Sequence, residues 1–258
     1  MVPHDSGMDT VLVEACVDTL ESALAAQAGG ADRMELCDNL VEGGTTPSAG
    51  TIAVCCERLS VPVFVIIRPR GGDFVYSVDE LDIMLRDTRL AAELGAAGVV
   101  FGALMPDGSV DADSTRKLVE AARPMSVTFH RAFDACRNAE EALESLIALG
   151  VDRVLTSGRA ATAPQGADCL RSLVRQAAGR IIVVAGGGVR EHNVEQLVSG
   201  TGVREVHVRL LRESASPMTY VNPEVDFGGG KAPSDRLRAV TDSARIAELR
   251  RLALAAVR

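Results

Sequence analysis

The strongest constraint in this chain is a rhythm. Short apolar runs alternate with helical segments eight times, almost from end to end. The runs fall at 11–16, 33–37, 63–67, 98–101, 126–129, 153–156, 181–185 and 205–208. They are too short for most helices and mostly apolar, as expected of parallel strands buried on both faces. Helical segments are expected near 18–28, 48–58, 79–94, 111–122, 138–148, 167–178 and 190–199, with Asp18 and Asp111 as N-caps. Gly29, Gly95, Gly150 and Gly179 stand where a helix should end. Eight strands in unbroken alternation predict an α/β fold, a (β/α)8 or TIM barrel, in one domain. A doubly wound sheet would carry a Gly-rich turn after its first strand, where this chain has Cys16-Val17-Asp18.

The barrel is expected over residues 1–210. From about Arg212 the pattern changes. Pro217, Asn222-Pro223 and Gly228-Gly229-Gly230 predict a loop-rich tail, and 242–257 a final helix. This 211–258 extension is expected to pack on the barrel or on a neighbouring subunit.

Composition narrows the function classes. A hydrophobic fraction of 47% supplies a core, and a net charge of −8 disfavours a nucleic-acid or membrane surface. No apolar run approaches the roughly 18 residues of a membrane span. The first ten residues, MVPHDSGMDT, lack a basic stretch followed by an apolar one, so no secretory leader is expected. A cytoplasmic protein follows, with its six scattered cysteines reduced. Vicinal Cys55-Cys56 falls on a helix and reads as structural. No organic-cofactor motif is evident.

In such a barrel, chemistry sits at the C-terminal ends of the strands. The first two strands both end in Glu-x-Cys: Glu14-Ala15-Cys16 and Glu35-Leu36-Cys37. Residues two apart on a strand share a face. Thiolates are soft ligands suited to Cu(I), which makes Cys16 and Cys37 metal candidates. Inward side chains form layers drawn from alternate strands, however, so these two are expected at different heights, with sulfurs that need not face each other. Filling space as small apolar groups is the competing reading.

Further along the rim, His130 is a candidate general acid or base, tuned by Arg131 or Asp134. Arg68 and Arg70 suit carboxylate or phosphate recognition. They equally suit pairing with Glu14 and Glu35. Thr156-Ser157, Gly186-Gly187-Gly188 and His207 complete the rim, and Arg209 strengthens an anion site if it points inward. Glu14, Glu35, His130 and Asp134 are thus candidate proton-handling groups. Arg68, Arg70, Arg131, Ser157, Gly187, Gly188 and His207 are candidate substrate contacts. Lys117 and Lys231 are the only lysines. Neither falls at a strand end, which disfavours imine chemistry.

These strings together resemble the CutC family, named for copper homeostasis. The resemblance covers roughly residues 11–207. It rests on Glu14-Ala15-Cys16, Gly29-Gly30-Ala31-Asp32-Arg33, Glu35-Leu36-Cys37, Glu42-Gly43-Gly44-Thr45-Thr46-Pro47-Ser48, Ile67-Arg68-Pro69-Arg70-Gly71-Gly72-Asp73-Phe74, Thr128-Phe129-His130-Arg131-Ala132-Phe133-Asp134, Leu155-Thr156-Ser157-Gly158 and Gly186-Gly187-Gly188. It implies a TIM barrel, a cytoplasmic homo-oligomer, and Cu(I) at the cysteines matching Cys16 and Cys37. One departure stands out: the family tends to carry His, a small residue and Ser after strand eight, where this chain has His207-Val208-Arg209. The alternative is a TIM-barrel enzyme of isomerase, lyase or hydrolase type acting on a small anionic metabolite. A purely structural role would instead leave the strand-end groups sealed by mutual salt bridges.

Overall fold

The structure, a computed structural model, describes residues 10–220, 222, 224 and 237–257. Pro223, Gly228–Gly230, Lys231 and most of the first ten residues lie outside these. Eight parallel strands close into a barrel in chain order. They are β1 (Leu12–Val17), β2 (Arg33–Leu36), β3 (Val63–Ile66), β4 (Gly98–Phe101), β5 (Ser126–Phe129), β6 (Arg153–Thr156), β7 (Ile182–Gly186) and β8 (Glu205–Val208). The helices between them are α1 (Leu20–Ala28), α2 (Ala49–Arg58), α3 (Val78–Glu93), α4 (Ala112–Ala122), α5 (Ala139–Ala148), α6 (Ala167–Ala177) and α7 (Val194–Thr201).

Local chemistry sets the boundaries. Asp111 caps α4 through the Ser114 amide, as expected. For α1 the cap is Thr19 rather than Asp18: the Thr19 hydroxyl accepts from the Ser22 amide. Ser77 and Glu80 form a reciprocal capping box on α3. Helix α7 starts four residues later than expected, because Asn193 Oδ1 takes the Arg190 amide and holds 190–193 as a turn.

One correction concerns the tail. It forms an antiparallel pair, β9 (Leu211–Ala215) with β10 (Leu237–Thr241), in a stretch expected to be loop-rich before its final helix. Strand β9 is largely exposed and β10 buries only Val240 and Thr241, so neither carries an apolar run to betray it. The closing helix α8 (Ser243–Ala255) buries Ile246, Leu249 and Ala253. Gly29 has φ −77°, so no left-handed geometry demands a glycine there. A Cβ on it would lie 2.5 Å from the Ser243 carbonyl oxygen, so this glycine admits the start of α8.

Side chains facing outward from the strands (Val13, Ala15, Met34, Leu36, Val65, Val99, Val127, Val154) are fully buried under the helices. The inward face is different. Its lower part holds Glu14, Arg33 and Glu205, all at least nine-tenths buried, with Phe64 among them. Arg33 stacks 4.7 Å from the Phe64 ring centroid, and Gly98 leaves that ring its space.

Candidate functional site

The site rests on this charged floor. Arg33 donates from Nε to Glu14 and from Nη2 to Glu205 (2.6 Å), and Arg153 reaches Glu205 at 3.1 Å. Glu14 thus pairs with Arg33, not with Arg68 or Arg70. Its second oxygen meets His207 Nδ1 at 2.8 Å. Burial works to raise the Glu14 pKa, but Arg33 and His207 overcome it and hold the carboxyl at about 2.

Above the floor sits the thiol pair. Register places Cys16 beside Glu35, so Cys37 lies beyond that rung, as the layer rule predicts. The sulfurs nonetheless meet, 3.9 Å apart. Cys37 Sγ also lies 3.5 Å from Glu35 Oε2, and His207 Nε2 lies 3.7 Å from the same oxygen. Donor atoms of Cys16, Glu35 and Cys37 all lie within 4.8 Å of one another.

Their ionisation is uneven. The hydrogen bond from Cys37, outweighing burial and aided by His207, draws the Cys16 thiol down to about 5. The same bond, with burial, pushes Cys37 up. Burial lifts Glu35 to about 8 against the pull of His207. Burial alone would lower His207, but Glu35, Cys16 and Glu14 surround it and raise it. The surroundings thus favour the protonated form of His207 together with the ionised form of Cys16.

Over this cluster opens a cavity of about 370 Å³. Cys16, Glu35, Ile66, Arg68, His130 and His207 are among the residues that line it, with Gly187 and Gly188 on the β7 side. The strand ends are therefore not sealed by mutual salt bridges. His130 is buried, and its Nδ1 accepts the Ala132 amide at 3.2 Å. Burial, with Arg68 nearby, pushes its pKa down to about 3, so the ring is neutral. That position suits a neutral hydrogen-bond donor rather than the acid–base role expected of it.

Other expected site residues face different tasks. Arg70 pairs with Asp73 and Glu80 outside the cavity lining. Asp134 accepts from Thr156 Oγ1, from Ser157 and from the Arg159 amide, and pairs with Arg131. With its oxygens so engaged, it braces the β5 and β6 loops, and Ser157 serves the same brace. Arg131 stays at the cavity wall. A Cβ on Gly187 would meet Arg131 and Ser157, and one on Gly188 would meet Thr162, so these glycines allow the loops to pack closely.

The matches with known proteins agree with this architecture. The model of the CutC family matches residues 11–211. The chain belongs to the CutC family. It is 49% identical to a family protein CutC of Bacteroides thetaiotaomicron, over 90% of this chain and 94% of that one. It is 45% identical to the human copper homeostasis protein cutC homolog, over 94% and 89%. A crystal structure of CutC from Streptococcus agalactiae superposes with a TM-score of 0.73 at 35% identity, covering 77% of this chain and 98% of that one. Phosphoribosylanthranilate isomerase from Thermotoga maritima shares the fold at a TM-score of 0.57 and 16% identity, over 95% and 98%. Among the described residues, no helix is long and apolar enough to cross a membrane.

Reading the strand ends missed Arg33, Arg153 and Glu205, which lie at strand starts but point into the same interior. Arg33 is two residues before Glu35, so the period of two was the available signal. Of two further residues on the cavity wall, Glu42 ends a short 3-10 turn and stood in the sequence only as part of a family string, while Arg190 lies in the turn before α7 with no pattern to mark it.

Proposed function

We propose that this protein takes part in copper homeostasis by binding Cu(I), as cargo, between Cys16 and Cys37. The 3.9 Å separation of the two sulfurs carries the reading. Two sulfurs each about 2.3 Å from one ion, at a trigonal angle, lie about 4 Å apart. The pair therefore needs little rearrangement to close on a metal. Soft sulfur donors favour Cu(I), while the Glu35 oxygen is a hard donor poorly matched to it. The hydrogen bond from Cys37 and the charge of His207, itself held by Glu14, favour the ionised form of Cys16, the form that binds metal. The copper homeostasis name of the human relative supports the same assignment. A cytoplasmic location and a homo-oligomeric state belong to this proposal. Anaerobic titration of the reduced protein with Cu(I) against a competing chelator tests it. Unchanged binding in a Cys16→Ser, Cys37→Ser double variant overturns it.

A second reading is favoured by one observation: Arg68 is buried with no carboxylate partner among the described residues, in the wall of an open cavity. The protein would then be an enzyme acting on a small anionic metabolite, with Glu35 and His207 moving protons. Screening metabolites for thermal stabilisation and then for turnover tests this reading. Absence of turnover with every stabilising compound sinks it.

A further inference from the structure

The wall of the cavity has donors without acceptors. Arg68 is 4% exposed. Its Nη1 donates to the carbonyls of Glu42 and Gly44 at 2.8 Å, and its Nη2 to the Gly72 carbonyl at 2.9 Å. These carbonyls fix the guanidinium in place and leave its charge uncompensated. Its Nε has no partner. Arg209 repeats the situation: its Nε is buried and unpartnered. Asp18 feels its charge but makes no ion pair with it.

The third orphan is His130 Nε2. Because Nδ1 accepts the Ala132 amide, the proton of the neutral ring sits on Nε2, and this orphan too is a donor. Phe74 braces two of the three, with its ring centroid 5.2 Å from the Arg68 guanidinium and 5.0 Å from the His130 ring. Arg190 adds a further cation, whose Nη1 is held only by the Val189 carbonyl. Against these stand two carboxyl groups on the wall, Glu35 low beside Cys37 and Glu42 exposed at the rim.

A buried donor without an acceptor costs about 1–3 kcal/mol, more when charged, and folded proteins carry few of them. Three such donors lie around one cavity, two of them on guanidinium groups that form no ion pair among the described residues. We infer that the cavity binds a small oxyanion of at least two negative charges, held by Arg68, His130 and Arg209 with Arg190 at the rim. Carboxylate and phosphate oxygens share the chemistry these donors recognise. A cavity of about 370 Å³ is of small-metabolite size. The inference deepens the second reading by locating its ligand, but it requires binding only, not turnover.

Calorimetric titration of the reduced, metal-free protein at fixed ionic strength is the test, with succinate and glycerol phosphate as separate probes. One-to-one saturable binding of either is expected, and the probe that binds identifies carboxylate or phosphate as the ligand. Arg209→Ser should weaken it at least tenfold, about 1.4 kcal/mol. Arg190→Gln should weaken it less. Both side chains are half-buried and brace no other segment, so these variants avoid the loops that Arg68 holds together. Cys169→Ser, outside the cavity lining and the thiol cluster, should bind the probe unchanged. Saturation by neither probe, or affinity unchanged in both arginine variants, overturns the inference. Binding without turnover leaves it standing while removing the catalytic reading.

Discussion

The sulfurs of Cys16 and Cys37 meet at 3.9 Å although register sets Cys16 beside Glu35 rather than beside Cys37. The Cys37 amide continues the ladder by donating to the Val17 carbonyl at 2.8 Å. Its side chain therefore stays over the interior, one step above Glu35. Adjacent strands stand about 4.8 Å apart, so two inward side chains on neighbouring rungs come within reach. Packed with Ile66, the two thiols form a small cluster separate from the main core.

Each thiol is expected to be indispensable for metal binding. Cys16→Ser and Cys37→Ser should each lower Cu(I) affinity by more than about 100-fold, beyond the 10–100-fold typical of losing a supporting group behind a ligand. Cys169 lies outside this cluster and serves as the control. Competition against a Cu(I) chelator measures all three. A Cys169→Ser effect as large as the other two would mean that binding is not confined to the strand ends.

The floor beneath the thiols makes the opposite demand, for charge pairing. Arg33→Met removes the guanidinium between Glu14 and Glu205 and leaves buried carboxylates facing one another. Breaking a buried pair from one side costs about 3–5 kcal/mol. Arg251 and Glu248 form an exposed pair on α8, and Arg251→Ala should leave stability almost unchanged. Urea unfolding of both variants checks the contrast. Equal losses would show that the buried network is no more demanding than a surface one.

The barrel was legible because its strands are buried on both faces, which leaves short, mostly apolar runs between glycine-marked helix ends. Strands β9 and β10 lack that signature because, of their residues, only Val240 and Thr241 are buried. At the site, Cys16, Glu35, Arg68, His130 and His207 were visible as strand-end residues, and the structure gathers all five around one cavity. Their individual tasks were not visible. His130 differs from an acid–base histidine only through its burial and the Ala132 amide, and Asp134 from a catalytic carboxylate only through the donors that surround it. Such distinctions depend on neighbours far away in sequence.

Gly29 tests how the closing helix is seated. An alanine methyl there would lie 2.5 Å from the Ser243 carbonyl oxygen and 2.8 Å from Ile246 Cβ. One contact is backbone, so α8 must shift. Overpacking of this kind costs about 1–3 kcal/mol. Gly29→Ala should lower the urea midpoint and speed amide exchange in α8, with exchange in α4 across the barrel less affected. Unchanged exchange in α8 would show that the helix accommodates the methyl without moving.

His130 should leave its mark on the acid limb of stability. Its folded-state pKa lies at about 3 against an ordinary value of 6.5, with burial as the leading cause and Arg68 adding to it. Between those values the unfolded chain binds a proton that the folded one does not, so stability rises with pH across this window and levels off above it. The full shift corresponds to roughly 5 kcal/mol at about 1.4 kcal/mol per pH unit, an upper bound reached only if the fold survives to pH 3. Glu14 adds a slope of the same sign between about 4.5 and 2, which both proteins keep. His130→Asn retains an acceptor for the Ala132 amide but cannot take up the proton. Urea midpoints measured from pH 7 down to pH 4 should therefore fall less steeply in His130→Asn than in the parent protein, with the two curves converging or crossing toward acid. Parallel curves would show that His130 is not the buried neutral imidazole that its surroundings require.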